Sequence, residues 1–210
     1  FSFALAAMHQ SQDNESAGAR YTQLQMNAQA AISAMELYEA FGETEYLSRG
    51  VSFARILMAC QASAVDPSFS IPLRGYFYEN ETHERIQTYY HRSYEHAPIK
   101  AFAMLYRLAP EHEDAARWKN SLELYREYVA LTSRMVPYGL LPNGIYELDN
   151  TDFSTITHEG ARAAGAPSLE EYNAQVRNGI RLNDRFYLRV FPVAYQFRGF
   201  HATLMGRALA

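Results

Sequence analysis

The sequence predicts an all-α protein built from helical hairpins, and three observations predict it. Apolar residues recur at steps of three and four, paired helical segments are joined by turns bearing Gly or Pro, and the pair returns after 68 residues. From Arg20 to Phe41, the residues Leu24, Ala28, Ala31, Met35 and Tyr38 mark one helical face, and Ala30, Ala34, Leu37 and Phe41 mark a second beside it. A helix apolar over so much of its circumference is expected to be an inner helix with neighbours on several sides. Gly42 ends it, and Glu43 and Thr44 supply turn and capping chemistry. The helix that follows carries the single stripe Leu47, Val51, Ala54 and Met58, opposite Arg49, Ser52 and Arg55, as expected of an outer helix.

The same pattern returns downstream. Ala101, Met104, Leu105 and Leu108 form a buried stripe that breaks at Pro110, after which Glu113 and Asp114 open a helix carrying Trp118, Leu122, Tyr125 and Val129. Aligning Leu37-Tyr38 with Leu105-Tyr106 also aligns Gly42 with Pro110. Each hairpin has an apolar face it cannot cover alone, so the units are expected to close into a ring or stack as a solenoid. Turns within hairpins are short, whereas the connections at about 62–92 and 134–197 are long and rich in aromatic, Gly and Pro residues. Alternating helix direction places both long connections at one end, where binding and catalysis usually reside. The second contains a short helix with Ser168 as N-cap before Leu169 to Val176, then a strand-like run from Arg185 to Phe197. No domain boundary is visible, so residues 1–210 are read as part of one domain.

With 48% hydrophobic and 20% charged residues, the chain has enough apolar material for a sizeable core. A net charge of -4 and a pI near 6.0, without runs of like charge, leave no electrostatic footprint for nucleic acid or an anionic membrane. No stretch approaches the roughly 20 apolar residues of a membrane span. The single cysteine, Cys60, falls in an amphipathic pattern and is read as a small buried hydrophobe. Phe1 stands where a starting Met is normal, and both ends read as helix, so the chain is read as an excerpt of a longer one.

Several stretches carry a resemblance to a known superfamily. AISAMELYEAFGETEYLSRGVSFARILMACQ resembles the inner helix, acidic turn and outer helix of the six-hairpin, or (α/α)6-toroid, glycosidases. LRGYFYEN resembles the Gly-aromatic segment that follows such hairpins near the cleft. HRSYEHAPIKAFAML and PYGLLPNGIYELD are similar to segments of toroid enzymes near the family 9 glycosidases. The resemblance implies an (α/α) toroid of helical hairpins, incomplete in this chain, with long loops on one face. It also implies a glycoside hydrolase acting on a carbohydrate, with its cleft at the N-terminal ends of the inner helices. A periplasmic or secreted location follows from that function class alone.

Glycosidic hydrolysis needs two carboxyl groups, one protonated to assist the leaving oxygen and one ionised to activate water or attack carbon. On the expected face, Glu95 lies at the mouth of the second inner helix, and Glu147, Asp149 and Asp152 follow PYGLLPNGIY. Glu79, Glu81 and Glu84 occupy the earlier loop. Glu95 with Asp149 is the preferred catalytic pair, and Glu147 is the further candidate. Flat rings and planar hydrogen-bonding groups suit a sugar, and Tyr90, His91, Arg92, Tyr138, Asn143 and Tyr146 are the expected binding residues, with Tyr76, Tyr78 and Tyr89 nearby. Arg198 and His201 join His91 and Arg92 to add positive charge suited to a uronic acid. His91 and His96 are not spaced as a two-His helical metal site, and phosphate-binding glycine loops are absent, so neither metal nor cofactor is expected. Two other classes fit the same face. A polysaccharide lyase would use Tyr90, His91, Arg92 and Asn143 for β-elimination, and a helical-repeat scaffold would use the loops to hold a partner protein.

Overall fold

Helix α1 (Gln23–Phe41) has the burial expected of an inner helix along most of its length, with the six consecutive residues from Ala30 to Met35 all buried, but Phe41 at its end, expected on the second stripe, is exposed. The computed structural model describes residues 23–84, 86, 96–136, 144–149 and 168–189. Gly42 closes α1 with φ +71°, and its N–H donates to the Tyr38 carbonyl at 2.8 Å. Such a left-handed residue after a helix is the ordinary place for glycine. Helix α2 (Thr44–Ala59) returns antiparallel with one buried face, Tyr46, Gly50, Val51, Phe53, Ala54 and Leu57. At Gly50 the Met35 side chain fills the space of a Cβ, which would sit 2.6 Å from Met35 Sδ.

The second hairpin repeats the first. Helix α3 (His96–Leu108) begins two residues before Pro98, within the first turn where proline is tolerated. Helix α4 (Ala115–Met135) follows a turn containing Pro110. Helix α1 packs on both α2 and α3, and α3 packs on α4. Glu36 accepts from Lys100 at 3.2 Å and Glu39 from Arg107 at 2.8 Å, so partner numbers rise together along α1 and α3. The two inner helices are therefore parallel and begin at the same end. These exposed ion pairs set register more than they add stability.

The buried stripe of α4 is rotated from the expected one. Trp118 and Tyr125 are buried as expected, but Leu122 and Val129 are only half-buried, while Ser121, Leu124, Tyr128 and Thr132 are covered. The cause is the connection after α2, which lies along that flank. Gln61 Nε2 donates to the Ser121 and Gly75 carbonyls, and Tyr76 packs on the Tyr128 ring. Cys60, Gln61 and Ala62 pair with residues 76–78 in a short antiparallel ladder.

The molecule is mostly helical, but it is not all-α. Strands β1 (Gly144–Glu147), β2 (Ile180–Arg181) and β3 (Phe186–Arg189) form an antiparallel sheet in the order β1-β3-β2. The strand-like run from Arg185 supplies β3, whereas β1 falls in a segment read from sequence as loop. Its partner lies about forty residues downstream, with Ile145 opposite Leu188 and Glu147 opposite Phe186. Local periodicity does not reveal such a pairing. Ile145, Phe186 and Leu188 face the main core, and Tyr146 faces helix α5 (Leu169–Arg177) with Tyr172 and Val176.

Helix α5 begins as expected at Ser168. The Ser168 hydroxyl accepts from the Glu171 N–H at 3.2 Å, and the Glu171 carboxylate accepts from the Ser168 N–H at 2.8 Å. This reciprocal box satisfies two donors that the helix would otherwise leave open. Ser168→Ala is expected to cost about 1 kcal/mol in chemical denaturation. An unchanged midpoint would show that α5 is held by its packing alone.

Asp114, which precedes α4, is 4% exposed and binds Arg55 and Arg117 at 2.8 Å each. Burial pushes its carboxyl upward, but the two guanidinium hydrogen bonds and charges outweigh this and leave it below the ordinary carboxylate value. A lowered folded value means stability present above the unfolded value of about 4 and lost as pH falls through the folded one. Tm is therefore expected to fall as the pH is taken below about 4, and Asp114→Asn to flatten that dependence. An equal acid slope in both proteins would remove Asp114 as its source.

Candidate functional site

The first long connection is tied to the start of α1, and the second is seated on the first. The Leu24 N–H donates to the Glu79 carbonyl at 3.1 Å, which ties the first connection to the opening turn of α1. Glu79 is 7% exposed there, and Asn27 and Asn80 are buried as well. From the second connection, Asn183 Nδ2 reaches back to the Phe69 carbonyl at 2.8 Å and the Ser70 carbonyl at 3.2 Å. The Phe69 and Phe186 rings meet edge to face at 5.4 Å, so the sheet is seated against the first connection.

A hydroxyl chain runs through the first connection. Tyr78 donates to Asp66 Oδ2 at 2.8 Å, the Tyr76 and Tyr78 hydroxyls lie 3.3 Å apart, and the Ser68 N–H donates to Asp66 Oδ1 at 2.8 Å. Burial pushes the Asp66 carboxyl upward, but the Tyr78 and Ser68 hydrogen bonds hold it below the ordinary value. Burial drives Tyr78 strongly up, reinforced by its bonds to Tyr76 and Asp66. Tyr78 is therefore a donor and not a base. His83 stacks on Tyr78 at 4.0 Å, and its Nε2–H donates to the Ala59 carbonyl at the end of α2 at 2.6 Å.

The second connection presents two carboxylates with different partners. Glu147, at the end of β1, is ion-paired with Arg185, whose guanidinium also lies over the Phe186 ring at 5.0 Å. Asp149 sits in the following turn with φ +57°, a left-handed conformation that Asp adopts more readily than most residues. Its N–H donates to Asn173 Oδ1 at 2.8 Å, and Asn173 Nδ2 donates to Asp149 Oδ1 at 3.0 Å. The described non-glycine residues with positive φ are Ser70, His83 and Asp149, and all belong to these two connections. Backbone of this kind concentrates at functional sites.

Among the residues named from sequence, Glu147 ends β1 and Asp149 stands in the turn that follows, each held by its own partner. Tyr146 is 2% exposed, because strand alternation turns its ring onto Tyr172 and Val176 under α5 rather than toward an open surface. Tyr76 and Tyr78 are likewise buried in the hydroxyl chain. Glu95, Tyr90, His91, Arg92, Tyr138, Asn143, Arg198 and His201 lie outside the described residues. Sequence reasoning missed Asp66, Asn173, Asn183 and Arg185. Asn173 left a signal, since Leu169, Tyr172, Asn173 and Val176 fall at one helical stripe and a polar residue in such a stripe needs a partner.

Cys60 is fully buried, and burial, with the Glu81 charge adding to it, pushes its thiol up to about 12, so it stays protonated and unreactive. No group of three or more His, Cys, Asp or Glu among the described residues is arranged to hold a metal ion. No described helix is long and apolar enough to cross a membrane. Comparison with protein-family models, curated proteins and solved structures found no match.

Proposed function

We propose that this chain is part of a carbohydrate-active enzyme that hydrolyses glycosidic bonds in an oligo- or polysaccharide. The observation supporting this reading is the seating of the second connection on the first, which is tied to the opening turn of α1, together with an oriented carboxylate, Asp149, in the second connection. In the proposed reaction Asp149 is the ionised member and takes a proton from water as its oxygen attacks the anomeric carbon. Glu95, immediately before the first residue of α3, is the protonated member and gives its proton to the leaving oxygen as the C–O bond breaks. Arg185 holds Glu147 as a charged partner, which suits it to support the turn rather than to give or take a proton.

The test is to incubate the full chain with neutral and uronate-containing oligosaccharides and follow two products. New reducing ends without ultraviolet-absorbing unsaturated uronate are expected. Appearance of the unsaturated product would replace hydrolysis by β-elimination. Binding of a protein partner with neither product would favour the scaffold.

A further inference from the structure

We infer that Asn173 is the positioning residue that aims the Asp149 carboxylate, an inference resting on the hydrolase reading of that carboxylate. The two groups form a closed pair: the Asp149 N–H donates to Asn173 Oδ1 at 2.8 Å, and Asn173 Nδ2 donates to Asp149 Oδ1 at 3.0 Å. Chemistry fixes which way the amide points. A backbone N–H only donates, so the atom facing it is the amide oxygen, and an ionised carboxylate only accepts, so the other is the amide nitrogen.

Asn173 is itself held firmly. It is 6% exposed and stands on α5 between Tyr172 and Val176, which pack with Tyr146 of β1. The Ser168–Glu171 box fixes where α5 begins. A rigid helix thus grips the turn at two points, one on its backbone and one on its carboxylate. The grip accounts for the left-handed φ of Asp149, and it occupies Oδ1, while among the described residues no donor reaches Oδ2. That oxygen is left for a water proton. Positioning of this kind places a reacting group before substrate arrives. Glu147, two residues earlier, is held by Arg185 instead, so neighbouring carboxylates are sorted by different partners.

Two variants of the full chain separate the bonds. Asn173→Leu removes both. Asn173→Asp keeps an acceptor for the Asp149 N–H but sets a like charge against Oδ1. On an oligosaccharide the wild type hydrolyses, both variants are expected to lose at least tenfold in kcat per folded molecule, with KM within about twofold. Glu170→Gln on the exposed side of α5 is expected to match the wild type. A residue that merely braced the turn would leave Asn173→Asp close to wild type, since that variant keeps the backbone bond. Full kcat in both Asn173 variants, with Asp149→Asn inactive, overturns the inference alone. Full activity in Asp149→Asn overturns the underlying reading of Asp149 instead. Should no glycan be cleaved, amide hydrogen exchange decides: Asp149 is expected to exchange at least tenfold faster in Asn173→Leu, and equal rates would show that Asn173 does not hold the turn.

Discussion

Asp149→Asn is expected to lower turnover by about 1000-fold while leaving the fold intact. The substitution is close to isosteric. The new amide oxygen still accepts from Asn173 Nδ2, and the Asp149 N–H bond to Asn173 Oδ1 is untouched. Asn also tolerates the φ of +57° as readily as Asp. Stability should therefore stay within about 0.5 kcal/mol, so a loss of rate reports the missing charge and not a broken turn. Glu147→Gln is the informative comparison, because it breaks the Arg185 ion pair two residues away and is expected to lose less activity. Steady-state rates on a cleaved oligosaccharide, with a melting curve for each variant, decide the matter. If Glu147→Gln is inactive and Asp149→Asn turns over normally, the proton-accepting role moves to Glu147.

The largest effect on stability is expected at Gly75. An alanine Cβ there would lie 2.1 Å from the Leu124 carbonyl oxygen and 3.1 Å from Tyr128 Cβ, and φ is +92°. The loop has little freedom to withdraw. The Gly75 N–H donates to the Ala62 carbonyl at 2.7 Å, and its own carbonyl accepts from Gln61 Nε2 at 3.1 Å. Relief requires moving helix backbone or giving up those bonds. Gly75→Ala is expected to cost about 3 kcal/mol, a fall in Tm of roughly 6–12 °C for a chain of this size. Gly42→Ala, with φ +71° but nothing within 4 Å of its Cβ, isolates the backbone part and is expected to cost about 1 kcal/mol. Equal losses at the two positions would mean that the first connection does not press on α4 as described. Because the same connection carries Asp66, Tyr76 and Tyr78, Gly75→Ala is also expected to disturb the hydroxyl chain.

How much of the molecule was legible beforehand follows from the range of the interactions involved. The two hairpins were readable because helical stripes, Gly42, Pro110 and Ser168 act within a few residues of themselves. The parallel arrangement of α1 and α3 was an expectation from alternating helix direction, and the Glu36–Lys100 and Glu39–Arg107 pairs supply it, because short turns alone orient helices only within each hairpin. The face of α4 was misjudged because Ser121 and Thr132 look solvent-facing by polarity, yet Thr132 bonds the Tyr128 carbonyl and the Ser121 carbonyl receives Gln61. Tyr76, Tyr78 and Tyr146 read as open rings for a sugar, but a tyrosine with a partner for its hydroxyl is equally at home in a core.

The sequence by itself determined the helical hairpins and their ends, because each depends on contacts between near neighbours in the chain. Only the tertiary structure decided that residues 144–147 pair with 186–189, that Arg185 takes Glu147, and that Asn173 takes Asp149. Those choices join residues more than twenty positions apart, and one-dimensional periodicity does not encode which distant donor will meet which acceptor.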